Sequence, residues 1–131
     1  MIHRSQIIHC LDILGYKPVA GHNNMFVTFT REYIQYTIDL RMEEGYIVTS
    51  GMKRNKAISI SRLFEILSEF NANTKFAYAC YDDVTDSAVL STSQICSSVE
   101  EFRSHIQASL DQIENRLPEL KERLENEILP F

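Results

Sequence analysis

The sequence predicts an α+β fold in the order α-βββ-α-ββ-α, an antiparallel sheet with helices packed on it. Apolar residues recur at steps of three and four near the start of the chain, in its middle and over its last third. Between these stretches the apolar period drops to two, in runs rich in β-branched and aromatic residues that suit a pleated, half-buried surface. No internal repeat, low-complexity run or glycine-serine linker breaks the order. A length of 131 residues predicts one domain, 1–131, with 118–131 as a candidate helical extension.

Ile7, Cys10, Leu11 and Leu14 share one helical stripe, which predicts a helix over 5–14. Ser5 is placed to accept from an orphan amide, and Gly15 to adopt the left-handed conformation that closes the helix. Past Tyr16-Lys17-Pro18, Met25, Val27 and Phe29 alternate with Phe26, Thr28 and Thr30. Ile34, Tyr36, Ile38 and Leu40 then alternate with Tyr33, Gln35, Thr37 and Asp39. The two strands join near Arg31-Glu32, and a polar break over 41–45 leads to a third strand, Tyr46 to Ser50, completing a meander. Gly51 and the basic segment Lys53-Arg54-Asn55-Lys56 end it.

A second helix carries Leu63, Phe64, Leu67 and Phe70, capped by Ser59 or Ser61 and ended by Asn71 or Asn73. Phe76, Tyr78 and Cys80 alternate with Ala77, Ala79 and Tyr81 in a fourth strand, with Phe76, Tyr78 and Cys80 as its inward phase. The acidic turn from Asp82 to Ser87 leads to a fifth strand, Ala88 to Thr92. Ser97 and Ser98, with Glu100 and Glu101 three residues on, predict a capping box for the last helix. Its stripe is Val99, Phe102, Ile106, Leu110, Ile113, Leu117, Leu120, Leu124 and Ile128, a mean spacing near 3.6. Pro118 lies inside that stripe, so 98–128 is either one kinked helix or two helices. A continuous helix of about 30 residues would rise roughly 45 Å, beyond the width of a domain with a radius of gyration of about 14 Å. On that ground Ile113, Leu117, Leu120, Leu124 and Ile128 form a candidate dimer or packing stripe.

The formal charge of −5 and pI near 5.3 oppose non-specific binding to nucleic acid, which relies on a basic face. No apolar run is long enough to span a bilayer, so no membrane insertion is expected, and the amino terminus lacks an export pattern. A cytoplasmic location is the default expectation. Cys10, Cys80 and Cys96 are isolated from one another and predict buried, reduced thiols.

No pattern in the chain carries catalysis. His3, His9, His22 and His105 form no short paired motif, so no metal or cofactor is expected. Cys80 is the best nominal nucleophile, but the following Asp82 and Asp83 would raise its pKa. Asp82, Asp83 and Asp86 lack the glycine and terminal glutamate of a calcium loop and predict a solvated turn. Lys53, Arg54 and Lys56 are the concentrated basic segment, which reads first as a solvated loop and second as one that could steer an acidic peptide or nucleic acid. Phe26, Tyr33 and Tyr46 fall in the exposed phase of the meander, where apolar area can receive a peptide or another subunit.

Element order, together with Leu67-Ser-Glu-Phe-Asn71, Lys75-Phe-Ala-Tyr-Ala-Cys-Tyr81, the acidic turn from Asp82 to Asp86, Val89-Leu90 and the capped helix from Ser98 through Phe102 and Ile106, resembles the type III secretion chaperone-like superfamily. Within it the chain is similar to the YbjN-like group of candidate bacterial sensory-transduction regulators. The resemblance implies an α+β fold, homodimerisation and binding of polypeptide segments instead of catalysis. The leading expectation is therefore a non-enzymatic protein- or peptide-binding module, a homodimer with a regulatory or chaperone-like role. Phe26, Tyr33, Tyr46, Lys53, Arg54 and Lys56 are its candidate partner contacts. The alternatives are a dedicated type III secretion effector chaperone and a small thiol-dependent hydrolase using Cys80.

Overall fold

The computed structural model describes residues 2–21, 25–73 and 76–128. Among these, helix α1 (Arg4–Ile13) precedes strands β1 (Val19–Ala20), β2 (Phe26–Arg31), β3 (Ile34–Asp39) and β4 (Gly45–Lys53). Helix α2 (Ile60–Ala72), strands β5 (Tyr78–Asp82) and β6 (Ser87–Ile95), and helix α3 (Val99–Ile128) follow. The expected α+β architecture is observed, with one short strand added at the start of the meander. All six strands form one antiparallel sheet in the order β1-β2-β3-β4-β6-β5.

The period-two pattern sorts the sheet into two faces. Val27, Phe29, Tyr36, Ile38, Val48 and Leu90 are buried with Ile7 and Leu11 of α1, Leu63 and Ile66 of α2, and Phe102, Ile106 and Leu110 of α3. The helices lie together on that inner face, α1 against β2, α3 against β4 and β6, and α2 against β5. Tyr16, Phe29 and Tyr36 stack in sequence, and Tyr46 meets Phe102 edge-on at 5.1 Å. The opposite face of the sheet carries no helix among the described residues.

Local chemistry moves several boundaries. Helix α1 starts at Arg4 with His3 as its cap, because the Gln6 side chain accepts from the His3 amide; Ser5 lies inside the helix. The β2–β3 turn is Glu32-Tyr33, both in the left-handed region, so Tyr33 leaves the strand for the hairpin tip. Strand β4 runs through Gly51 to Lys53, since β6 pairs it along its whole length, and β6 itself reaches Ile95. Ser59 caps α2 and Asn73 ends it. Ile66 joins Leu63 and Leu67 on the buried stripe of α2, whereas Phe64 is half exposed and meets Tyr81 edge-on.

The phase of β5 is the reverse of the expected one. Ala77 and Ala79 are buried, while Phe76, Tyr78 and Cys80 point outward. Helix α2 lies close over this strand, and Asn71 ties the two together: its Nδ2 donates to the Ala79 carbonyl and its Oδ1 accepts from the Ala79 amide, each at 2.7 Å. Small side chains fit beneath so close a helix, and large rings are left for the open side. Lys75 and His22 lie outside the described residues.

Helix α3 is continuous through Pro118. Ser98 Oγ accepts from the Glu101 amide at 3.2 Å, as expected of a cap, while the Glu101 carboxylate accepts from the Ser97 amide one residue further back instead of closing the box on Ser98. Ile113 and Leu120 are fully buried, Leu117 and Leu124 pack against the same core, and Ile128 is 38% exposed. Ile113 and Leu120 are thus spent inside the chain, and Leu117 and Leu124 pack against its core while keeping part of their surface exposed. The distal turns are held by ions as well: Arg62 donates to both Glu127 oxygens, at 2.7 and 3.1 Å, and Arg123 bridges Glu127 and Glu69.

Candidate interaction surface on the open sheet face

The outward side chains of the sheet line up in rows fixed by register. One row runs Thr28, Thr37, Thr49, Ser91, Tyr78, each residue paired with the next across β2, β3, β4, β6 and β5. Beside it Gly51, Val89 and Cys80 form a second row, and Ile47 stands opposite Ser93. Near the β5 end Phe76 and Tyr78 are 63% and 51% exposed. They line a cleft of about 460 Å³ with Ile47, Ser91, Ser93 and Gln112. Among the described residues its lining contains no ionisable carboxylate, ammonium or guanidinium.

Residues expected at a partner surface scatter. Phe26 is on the open face but half buried, with the Arg41 guanidinium 4.9 Å from its ring centre. Arg41 also forks onto Asp39; burial would raise that carboxyl, and the bonds from Arg41 outweigh burial and hold it below its ordinary value. Tyr33 is wholly exposed at the hairpin tip. Tyr46 is a correction: it is fully buried, because the β4 register turns it toward α3, where its hydroxyl meets Ser109 Oγ at 2.9 Å. Burial pushes its phenol up to about 12.

The basic segment divides. Lys56 is exposed, and Lys53, also exposed, donates to the Thr85 carbonyl. Arg54 is consumed in the scaffold: it forks onto Asp86 at 2.8 and 3.1 Å and donates to the Ile58 carbonyl. Hydrogen bonds from Arg54 and then Tyr81 hold the Asp86 carboxyl below its ordinary value. Asp82 accepts from the Val84 amide and the Thr85 hydroxyl within the same turn. The acidic turn is thus knitted to itself and to the β4–α2 loop. Among the described residues no group of His, Cys, Asp and Glu could hold a metal ion.

Cys10 and Cys96 are buried, and Cys80, expected to be buried, is exposed on the open face. Partial burial and then Asp82 push its thiol up, the direction opposite to the one that activates a nucleophile. The exposed pair Phe76 and Tyr78 was hidden from sequence reasoning because aromatic residues in a strand read as core. The Ala-x-Ala spacing of Ala77 and Ala79 is the signal for it, since small residues mark a close helix crossing.

Both sheet edges are blunted. Strand β1 has two residues, and on β5 the Asn71 amide satisfies both main-chain groups of Ala79. Beyond Ser91, β6 runs on to Ile95 without β5 beside it, so the broad face and this short stretch of edge are what the described residues leave open. None of the described helices is long and apolar enough to cross a membrane.

No protein-family model and no curated protein sequence matches the chain. Among solved structures it is similar to YbjN from E. coli, described as a candidate transcription regulator, at 19% identity and a TM-score of 0.66, covering 96% of this chain and 95% of that one. It is also similar to an uncharacterized protein from Methanothermobacter thermautotrophicus at 13% identity and a TM-score of 0.58, covering 94% and 99%. At these identities the likeness concerns the backbone: the chain has the α+β fold of the YbjN-like group.

Proposed function

We propose that the chain is a non-enzymatic, cytoplasmic interaction module, a homodimer that binds a protein or peptide in a regulatory or chaperone-like role. The observation that carries this reading is the one-sided sheet: the helices cover one face and leave the other, with exposed aromatic rings, open to a macromolecule. Supporting it, the conspicuous ionisable clusters are used inside the scaffold, as with Arg54, Asp86 and Tyr81. The acidic chain suits neither nucleic acid nor an anionic membrane surface as its partner. Sedimentation equilibrium combined with affinity capture on the purified chain tests the proposal. A dimer that retains a defined protein or peptide is the expected result; a monomer at all concentrations that retains nothing specific would overturn it.

A further inference from the structure

Among the described residues the centre of the open face is uncharged, although 24% of the chain's residues carry charge. Along the row from Thr28 to Tyr78 every group is a hydroxyl or an aromatic ring. Charges of both signs lie at the ends of the face, Asp39 with Arg41 at one and Lys53 with Asp82 at the other. Two copies of a chain with formal charge −5 repel one another, and an isologous contact sets each charge near its axis against its own copy. Such a contact needs a neutral centre with a charged rim, which is how this face is built.

We propose that the open face is occupied by a second copy of the chain, the two sheets stacking face to face about a two-fold axis. This rests on the homodimer reading above and names its surface. Six strands totalling 37 residues, at about 3.3 Å per residue and about 4.8 Å between strands, give a face of roughly 600 Å² in projection, near the ~800 Å² per partner of a standard stable interface once side-chain relief is counted. Short side chains at Thr37, Thr49, Ser91 and Gly51 allow the ~10 Å approach of packed sheets. Tyr78 and Val89 supply ring and methyl area around them. An outside protein or peptide then meets the margins of the dimer, where the Tyr33 tip and Lys56 remain exposed.

Thr49→Arg places two cations against one another near the axis. Sedimentation equilibrium from about 1 to about 100 μM, the weaker end of affinities for an interface of this size, is expected to give a dimer for the unaltered chain and for Gln107→Arg on the exposed side of α3, and a monomer with unchanged circular dichroism for Thr49→Arg. A second readout needs no variant. Cys80 lies on the face while Cys10 and Cys96 are buried, so its reaction with an aromatic disulfide reagent should slow about tenfold once about nine-tenths of the chain is dimeric, following the monomer fraction. A Thr49→Arg chain that stays dimeric, or a Cys80 rate independent of concentration in a dimerising chain, would overturn the sheet-face assignment and leave the homodimer standing. If Thr49→Arg does not fold, the Cys80 rate decides. An unaltered chain that is monomeric throughout overturns both readings.

Discussion

At the scale of single residues, side chains of modest polarity decide which surfaces remain free. Asn71 supplies β5 with the donor and acceptor that a seventh strand would otherwise supply. Asn71→Ala leaves both Ala79 groups without that partner and should cost about 1–3 kcal/mol by denaturant unfolding, with faster aggregation as the strand edge opens. Gly45 is constrained differently, because a Cβ there would collide with the Gln94 carbonyl of the paired strand. Gly45→Ala should destabilise by about 1–3 kcal/mol, the usual range for forced overpacking. Two polar residues of the inner face reach across to α3. Tyr36 donates to Glu114 at 2.8 Å, and Arg31 reaches both Glu114 and Asp111. Burial and the Glu114 bond push the Tyr36 phenol up, so it stays a donor throughout the physiological range.

At the scale of elements, α3 holds the molecule together because its stripe is longer than any strand it crosses. Leu120 is fully buried two residues beyond Pro118, whereas Ile128 is 38% exposed. Leu120→Ala should therefore cost about 2–5 kcal/mol, and Ile128→Ala clearly less, measured by thermal or denaturant unfolding. The last turn is fastened to α2 by Glu127, whose carboxyl is held down to about 2 by hydrogen bonds from Arg62 and Arg123. A carboxylate with a depressed folded-state pKa stabilises above its unfolded value of 4.5, and that contribution is lost as pH falls toward about 2. Acid titration of Glu127→Gln should show a shallower loss of stability across that window than the unaltered chain. The screening of such partly exposed pairs by salt predicts the same flattening at high ionic strength.

At the scale of the whole molecule, covering a sheet on one side leaves the other side without a helix among the described residues, and thiol chemistry reports on it. One of the three cysteines should react in the native monomer and all three in denaturant, because Cys10 and Cys96 are buried and Cys80 is not. Element order, the capped start of α3, the Gly15 stop and the unbroken α3 stripe were all legible in the sequence, because each depends on residues within a few turns of one another. The face to which β5 turns was not legible: Phe76, Tyr78 and Cys80 carry the apolar signal, yet the closeness of α2 reserves the inner side for Ala77 and Ala79. Tyr46 failed in the opposite sense, since only the pairing of β4 with both β3 and β6 sets which way its side chain turns. The sequence by itself determined the elements and their polarity, which follow from local periodicity and capping. The tertiary structure decided which face of the sheet the helices take, and so which face is left open, because that depends on helix-to-sheet distance and on register between strands distant along the chain.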